Sequence, residues 1–285
     1  KKGLIILCIF IGFIMLTAQV DYVAEHPSVG FGVRLTWLMV LVSMGILLPI
    51  VFLYLAGNKN RERIESDKIG LIVAIILFAV ANAIPIIFYV VMGIPPGFFI
   101  FLQLGLMGLL PAYVYQPKKS VLRIIILVIL FAAVIMPLGL LVNFEIDKIW
   151  FLIPSTPTVQ EATIQTMYYM FYWGLLMPFV YLAMAIGWKF GGGTNRQGWN
   201  IFMAGMVLQY STLEDFLYFA LNGQPLPGVW PWMSEFVINL EALFGNVPTD
   251  VDIFIFCVIM VSIAVFILFD GHGKIWAKLS DMKTK

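Results

Sequence analysis

The chain has few charged residues. Lys, Arg, Asp and Glu together make up 12% of its 285 residues, whereas hydrophobic residues make up 61%. A typical soluble domain carries about 25% charged and roughly 45–50% apolar residues. A soluble fold with so little charge would expose large apolar patches to water and would aggregate. The composition therefore predicts an integral membrane protein that contacts lipids, and the net charge of +1 argues against nucleic-acid binding.

Cysteine and histidine are scarce as well. Cys8 and Cys257 lie within apolar segments, and His26 and His272 lie near opposite ends of the chain. A disulfide scaffold needs several cysteines, and a zinc site usually needs closely spaced Cys and His ligands. The sequence therefore indicates neither type of structure, and the identity of any cofactor stays unknown.

Long apolar segments account for most of the chain. A membrane-spanning helix needs about 20 predominantly apolar residues. The segments that meet this requirement are 3–20, 34–56, 70–93, 98–116, 121–143, 164–188, 199–221 and 251–270. They predict an all-α fold, a polytopic transmembrane bundle of eight spans that forms a single domain over residues 1–285. A cleaved signal peptide is the competing interpretation of the first segment.

The charges between these segments alternate along the chain. Basic residues concentrate in the connections 57–69, 117–120 and 189–198 and at the C-terminus, while the other connections are acidic or neutral. Lys and Arg beside membrane helices favour the cytoplasmic side. The pattern therefore predicts a multi-pass protein of the cell membrane with both termini in the cytoplasm. The long extracytoplasmic loop 222–250 is expected to cover an outward-facing vestibule.

Aromatic residues are concentrated in that loop, where Val229-Trp230-Pro231-Trp232 precedes an amphipathic stretch over residues 233–244. Tryptophan and tyrosine are enriched where a membrane meets water, so an interfacial aromatic belt is the interpretation that we favour. An aromatic-lined mouth for an apolar ligand is the alternative.

Two stretches of sequence resemble each other. Residues 45–53 (GILLPIVFL) and 174–182 (GLLMPFVYL) share their glycine, their proline and several apolar positions. This pairing relates the second and third segments to the sixth and seventh, and it predicts a 4+4 parallel repeat of halves 1–120 and 121–285. Chance resemblance is the alternative, because apolar helices draw on a small set of residue types.

The seventh segment carries charge in its interior. Glu214 and Asp215 lie roughly 22 Å from the start of that segment, given a rise of about 1.5 Å per helical residue. Ionisable residues inside a membrane are costly and mark candidate functional sites. On a continuous helix, Asp215 shares one polar stripe with Ser211, Tyr218 and Asn222. We therefore predict a cation- or proton-binding site at these five residues, with the stripe facing the bundle interior.

Several functions are compatible with this carboxylate pair. The leading hypothesis is a transporter or carrier of a small or lipophilic solute. The second is an outward-facing enzyme acting on a lipid or isoprenoid, with Glu214, Asp215, Asp250 and Asp252 as candidate metal ligands. The third is a membrane anchor or quinone-contacting subunit of a complex. Catalytic residues, enzymatic activity and oligomeric state stay open.

A purely structural role is a further alternative for the same residues. The spacing Ser211-x-x-Glu214 matches a helix capping box, in which the two side chains satisfy backbone N–H groups at the start of a helix. This interpretation predicts that the seventh segment breaks and restarts near Ser211. A broken helix within a membrane is itself typical of segments that line a cavity.

Overall fold

The computed structural model describes residues 1–26, 31–57, 76, 177–234 and 240–283. Within these ranges every regular element is helical, apart from an isolated antiparallel bridge between Val229 and Thr249. The all-α prediction is thus confirmed for this part of the chain. The predicted segments 98–116 and 121–143, and all of 70–93 except residue 76, lie outside the described residues.

In chain order, the described helices are α1 (Lys2–Glu25), α2 (Phe31–Ala56), α3 (Met177–Phe190), α4 (Asn195–Gln209), α5 (Leu213–Leu221), a 3₁₀ turn (Pro231–Ser234), α6 (Leu240–Phe244), α7 (Asp250–Leu268) and α8 (Gly271–Lys283). Helices α1, α2 and α7 follow the predicted segments 3–20, 34–56 and 251–270, whereas residues 164–176 of the sixth predicted segment lie outside the described residues. By length and composition, the stretches Lys2–Val23 and Asp250–Leu268 are long and apolar enough to cross a membrane. The seventh predicted segment is divided between α4 and α5.

The end of α3 differs from the sequence-based expectation. Lys189, which we assigned to a cytoplasmic connection, lies in the last turn of α3 and is buried. The helix continues to Phe190 and stops at the glycine run that follows, where Gly192 has a positive φ of 91°. Glycine adopts this left-handed conformation without steric cost, so the helix ends there rather than at the lysine.

The main core joins α1, α2, α3 and α4. Phe10, Phe52 and Tyr181 are completely buried in it. The Phe10 ring is stacked on the Phe52 ring at 5.9 Å and meets the Tyr181 ring edge to face at 5.4 Å. Aromatic pairs at these separations add to the stabilisation that burial of their surface provides.

Helices α2 and α3 approach each other at glycine. A methyl group on Gly187 would clash with the carbonyl of Pro49, and one on Gly191 would clash with the carbonyl of Leu53. The two backbones are therefore in direct contact, as small residues permit in tightly packed helix pairs. Since both contact pairs ascend in sequence together, α2 and α3 run parallel. Helix α2 contains residues 45–53, and α3 contains residues 177–182 of the resembling stretch. Residues 174–176 and all of the third segment except residue 76 lie outside the described residues, and the internal repeat stays a prediction.

Contacts between distant residues define one end of the bundle. The Nζ atom of Lys2 donates to the carbonyl of Ala56 at 2.8 Å and lies 5.8 Å from the Trp188 ring. The start of α1 therefore lies against the ends of α2 and α3. Arg196 at the start of α4 forms an ion pair with Asp270 after α7 at 2.8 Å.

The opposite end is defined by a separate set of contacts. The Nε2 atom of Gln19 donates to Oδ1 of Asn222 at 3.2 Å, which joins the end of α1 to the end of α5. The backbone N–H of Gly228 donates to Oδ1 of Asp250 at 3.2 Å. Helices α1, α4 and α5 therefore run in one direction, and α2, α3 and α7 run in the other.

Candidate functional site

The series of helical backbone hydrogen bonds is interrupted between α4 and α5. The N–H of Tyr210 still donates to the carbonyl of Met206 at 3.0 Å, but Ser211 N–H donates to Leu208 in a tighter turn at 3.2 Å. A new helix begins where Phe216 N–H donates to the carbonyl of Thr212 at 3.2 Å. The predicted break in the seventh segment is therefore observed.

The capping box that suggested this break is not the device that forms it. Thr212, rather than Ser211, precedes the first residue of α5, and its side chain makes no capping hydrogen bond. The Oγ of Ser211 donates backwards to the carbonyl of Leu208 at 2.6 Å and accepts from the backbone N–H of Leu213 at 3.4 Å. Reciprocal capping boxes occur instead at Thr194 with Gln197 and at Thr249 with Asp252.

Thr212 adopts the left-handed conformation, with φ 63° and ψ 5°. A β-branched residue is strained in this region, because its Cβ substituents crowd the backbone. Such conformations typically cost about 1–3 kcal/mol and are concentrated at functional sites. The strained residue lies directly between the two helices and two positions before Glu214.

The structure distinguishes the two carboxylates. Glu214 is only 3% exposed, whereas Asp215 is half-buried. Both belong to the first turn of α5, where the positive end of the helix dipole favours negative charge. Oδ1 of Asp215 lies 3.3 Å from the indole Nε1 of Trp232, which donates to it from the loop.

The predicted polar stripe is only partly correct. Tyr218 and Asn222 do face a neighbouring helix, since the Tyr218 ring meets Tyr22 edge to face at 5.2 Å and Asn222 bonds to Gln19. Ser211 is completely buried but lies within the break, before α5 begins, so it does not continue the face of α5. The left-handed residue changes the direction of the chain, and the helical spacing used for the prediction does not extend across it.

Further buried polar groups lie around the break. The hydroxyl of Tyr181 donates to Oε1 of Gln209 at 2.9 Å, and both side chains are buried. Within the described ranges, no hydrogen-bond acceptor lies in reach of Nε2 of Gln209. Across the break, the Cys257 side chain on α7 lies close to Ser211 and Thr212. The break is thus a polar region inside an otherwise apolar core.

Asp250 and Asp252 have structural partners. Oδ2 of Asp252 accepts from both the N–H and the hydroxyl of Thr249, at 2.9 and 2.7 Å, and so caps α7. Oδ1 of Asp250 accepts from the indole N–H of Trp230 at 2.6 Å. In the part of the chain that the structure describes, no three His, Cys, Asp or Glu residues form a potential metal-binding group.

The loop between α5 and α7 packs around Trp230. This side chain is completely buried, and its ring lies 5.3 Å from Phe216, 5.4 Å from Phe219 and 5.3 Å from Trp232. Trp230 is therefore a core residue of the loop, contrary to the interfacial belt expected for it. Its position before a proline in the sequence gave no indication of burial, because Phe216 and Phe219 come from α5 and reach Trp230 only through the folding of the loop.

Three residues of this region were not among the predicted site residues. Trp232 donates a hydrogen bond to Asp215, and Gln19 donates one to Asn222. Gln209 directly precedes the break and accepts from Tyr181. Gln209 was the most accessible to prediction, since it is a polar residue directly before the Tyr-Ser-Thr sequence of the break. The contacts of Trp232 and Gln19 depend on chain packing, which local sequence does not encode.

Comparison of the chain with models of protein families, with curated proteins and with solved structures finds no match. The chemistry of the break between α4 and α5 is therefore the basis for its functional interpretation.

Proposed function

We propose that the protein is a multi-pass transporter or carrier of a small or lipophilic solute. In this proposal eight spans cross the cell membrane and both termini lie in the cytoplasm. Glu214 and Asp215 bind a cation or carry protons, and Ser211, Tyr218 and Asn222 support them. The loop 222–250 then covers the site from the extracytoplasmic side.

The interruption at residues 210–212 is the observation that carries this proposal. Discontinuous transmembrane helices form the substrate and ion sites of many transporters, because their ends offer unpaired backbone groups and helix dipoles. Irregular backbone at membrane depth is tolerated where protein or a water-filled cavity surrounds it. At about 1.5 Å per residue, residues 210–212 lie roughly 17–20 Å from the start of the predicted segment at residue 199, so a membrane-spanning segment would place the break inside a hydrocarbon core about 30 Å thick.

The environment of the carboxylates supports the same function. Glu214 is buried at the start of α5, beside a strained Thr212. Burial of an anion is costly, so a proton or a cation that neutralises Glu214 stabilises the folded state. Asp215 is more accessible and contacts Trp232 of the loop. The pair therefore combines a buried and a more accessible carboxylate on adjacent residues.

The aromatic cluster around Trp230 favours a lipophilic solute over a strongly polar one. Phe219 on α5 and Trp232 in the loop stack their rings at 6.4 Å, and the Trp232 indole donates a hydrogen bond to Asp215. Ligand sites typically combine such apolar surfaces with a few polar groups that fix orientation.

Thermal unfolding of the detergent-purified protein tests the ion site. The melting temperature is measured with Na⁺, K⁺, Mg²⁺, Ca²⁺ or Zn²⁺ and across pH, for the unmodified protein and for Glu214→Gln and Asp215→Asn. A ligand at 100 times its dissociation constant stabilises the folded state by about 2.7 kcal/mol. We expect one ion, or protons, to raise the melting temperature of the unmodified protein. Neither variant should show that increase.

Glu241→Gln is the matched control, because Glu241 is an exposed carboxylate of the same loop. It should respond to the ions as the unmodified protein does. An ion response that is identical in Glu214→Gln, Asp215→Asn and the unmodified protein contradicts the proposal. So does the absence of any response across all ions and pH values.

A further inference from the structure

The C-terminal helix α8 presents an apolar face to its surroundings. Ile275 is 52% exposed, Trp276 76%, Leu279 45% and Met282 58%. Ile275, Leu279 and Met282 follow the i, i+4, i+7 spacing of one helix face, and Trp276 lies beside them. A contiguous exposed group of large apolar side chains of this kind marks a surface that contacts a partner or a membrane.

Lysines border this apolar face. Lys274 and Lys278 are exposed and lie one turn apart along one edge of it, and the sequence continues with Lys283 and Lys285. Residues 271–285 contain four lysines and one aspartate. A basic amphipathic helix with tryptophan on its apolar face is typical of segments that lie in a membrane interface. Long lysine side chains at the border can reach phosphate groups while their stems contact acyl chains.

The position of α8 follows from the end of α7. Asp270 has a φ of 59°, which turns the chain between the two helices. Its Oδ1 accepts from Arg196 Nε at 2.8 Å and from Asn200 Nδ2 at 3.3 Å. Gly273 is buried directly against the Arg196 side chain. These contacts hold one side of α8 against α4, and Ile275, Leu279 and Met282 lie on a different side.

Helix α7, which leads into α8, also exposes an apolar surface. Large apolar side chains are exposed along this helix, at Val251, Phe254, Ile255, Val258, Ile259 and Ile263. For a membrane-spanning α7, this surface faces lipid acyl chains, and α8 begins where the span ends. In that arrangement the apolar face of α8 would reach the acyl–headgroup boundary, and its lysines would reach the phosphates.

We propose that α8 lies along the membrane surface, with Ile275, Trp276, Leu279 and Met282 in the lipid and with Lys274 and Lys278 bound to anionic phospholipid headgroups. This inference rests on the membrane embedding of α7 that is part of the proposed function. It does not depend on the carboxylate site or on the identity of a solute. The positive charge of α8 is complementary to anionic lipid, which favours a membrane over a second copy of the same basic helix.

Site-specific fluorescent labelling of the full chain tests the proposal. Cys8 and Cys257 are first replaced by alanine, and one cysteine is introduced by Leu279→Cys, Ala277→Cys or Ile263→Cys for an environment-sensitive dye. The protein is reconstituted in nanodiscs of phosphatidylcholine, with or without phosphatidylglycerol, containing phospholipids with a doxyl quencher near the headgroup. Ala277 is the matched control, since it is exposed on the opposite side of α8.

We expect lipid quenching at Leu279 to exceed that at Ala277 by at least about twofold, as an interfacial helix with one immersed face requires. Phosphatidylglycerol should increase the quenching at Leu279, and the double variant Lys274→Glu/Lys278→Glu should remove that increase. Equal quenching at Leu279 and Ala277 overturns the proposal. Quenching at Leu279 that is the same with and without phosphatidylglycerol overturns it as well.

The label at Ile263 separates this inference from the membrane embedding itself. Ile263 is exposed on α7, so its label is quenched if α7 is embedded, whatever the position of α8. Quenching at Ile263 without quenching at Leu279 refutes the position of α8 and leaves the embedding of α7 intact. An unquenched label at Ile263 refutes both.

Discussion

The indole Nε1 of Trp230 lies 2.6 Å from Oδ1 of Asp250 and donates a hydrogen bond to it. The same carboxylate oxygen accepts from the backbone N–H of Gly228 at 3.2 Å. A single side chain in the first turn of α7 thus fixes both the backbone and the central aromatic residue of the loop. Asp250 is therefore best understood as the residue that attaches this loop to the bundle.

We predict that Trp230→Ala lowers the free energy of unfolding by about 3–5 kcal/mol, because it leaves a large cavity among Phe216, Phe219 and Trp232. Asp250→Ala should cost about 1–3 kcal/mol, because it leaves a buried indole N–H without its acceptor. Asp250→Asn retains an acceptor oxygen and should cost less. Thermal unfolding followed by circular dichroism measures these changes, and equal stability of Asp250→Ala and Asp250→Asn would contradict this assignment.

The contact between α2 and α3 gives a second prediction. Gly187→Ala places a methyl group against the carbonyl of Pro49, so the two helices must separate, at a cost of about 1–3 kcal/mol. Gly191→Ala should have a similar effect at Leu53. Gly12→Ala is the matched control, because nothing lies within 4 Å of the added methyl group and alanine favours the helix. A melting temperature of Gly187→Ala at or above that of Gly12→Ala would show that the backbones are not in contact.

The Tyr181–Gln209 hydrogen bond gives a third prediction. Tyr181→Phe should destabilise the fold by about 1–3 kcal/mol, because Oε1 of Gln209 then stays buried without its donor. Gln209→Met should likewise leave the Tyr181 hydroxyl buried without its acceptor. The double variant removes both polar groups, and we expect it to be more stable than the sum of the single changes indicates. Additive costs in this double-mutant cycle, measured by thermal unfolding, would rule out a direct bond.

The conformation of Thr212 gives a fourth prediction. Asparagine adopts the left-handed region more readily than threonine, so Thr212→Asn should relieve about 1 kcal/mol of strain and raise the melting temperature. Thr212→Val keeps the β-branched shape and serves as the control, with no gain expected. If the strain contributes to function, the stabilised Thr212→Asn variant should also lose its ion response in the assay described for Glu214 and Asp215. A stability loss in Thr212→Asn would argue against a left-handed residue at this position.

The helices were the most predictable part of the fold. Apolar runs as long as 3–20 and 251–270 have few alternatives to a helix, and α1 and α7 contain nearly all of both. Helix ends were less predictable, as Lys189 shows, because a charged residue that borders an apolar segment can still belong to the last turn of the helix and be buried. The parallel contact of α2 with α3 was also beyond prediction, since it depends on residues far apart in the sequence.

The candidate site was predictable in composition but not in geometry. The carboxylates of Glu214 and Asp215 were identified by their rarity in an apolar segment, and the break near Ser211 by its capping-box spacing. The spacing named the wrong residue, because Thr212 makes the turn through its backbone conformation. Since the periodicity of a helix ends at such a turn, the sequence could not tell that Glu214 is the more buried carboxylate.

The interruption at residues 210–212 also divides the bundle into parts that can open independently. In an unbroken helix, neighbouring turns share one ladder of hydrogen bonds and exchange their amide protons together. Here the ladder of α4 ends at Tyr210, and that of α5 begins with Phe216. We therefore expect hydrogen exchange in α5 and the adjoining loop to be governed by a smaller opening free energy than exchange in the core of α4, so that the carboxylates fluctuate without unfolding of the whole bundle.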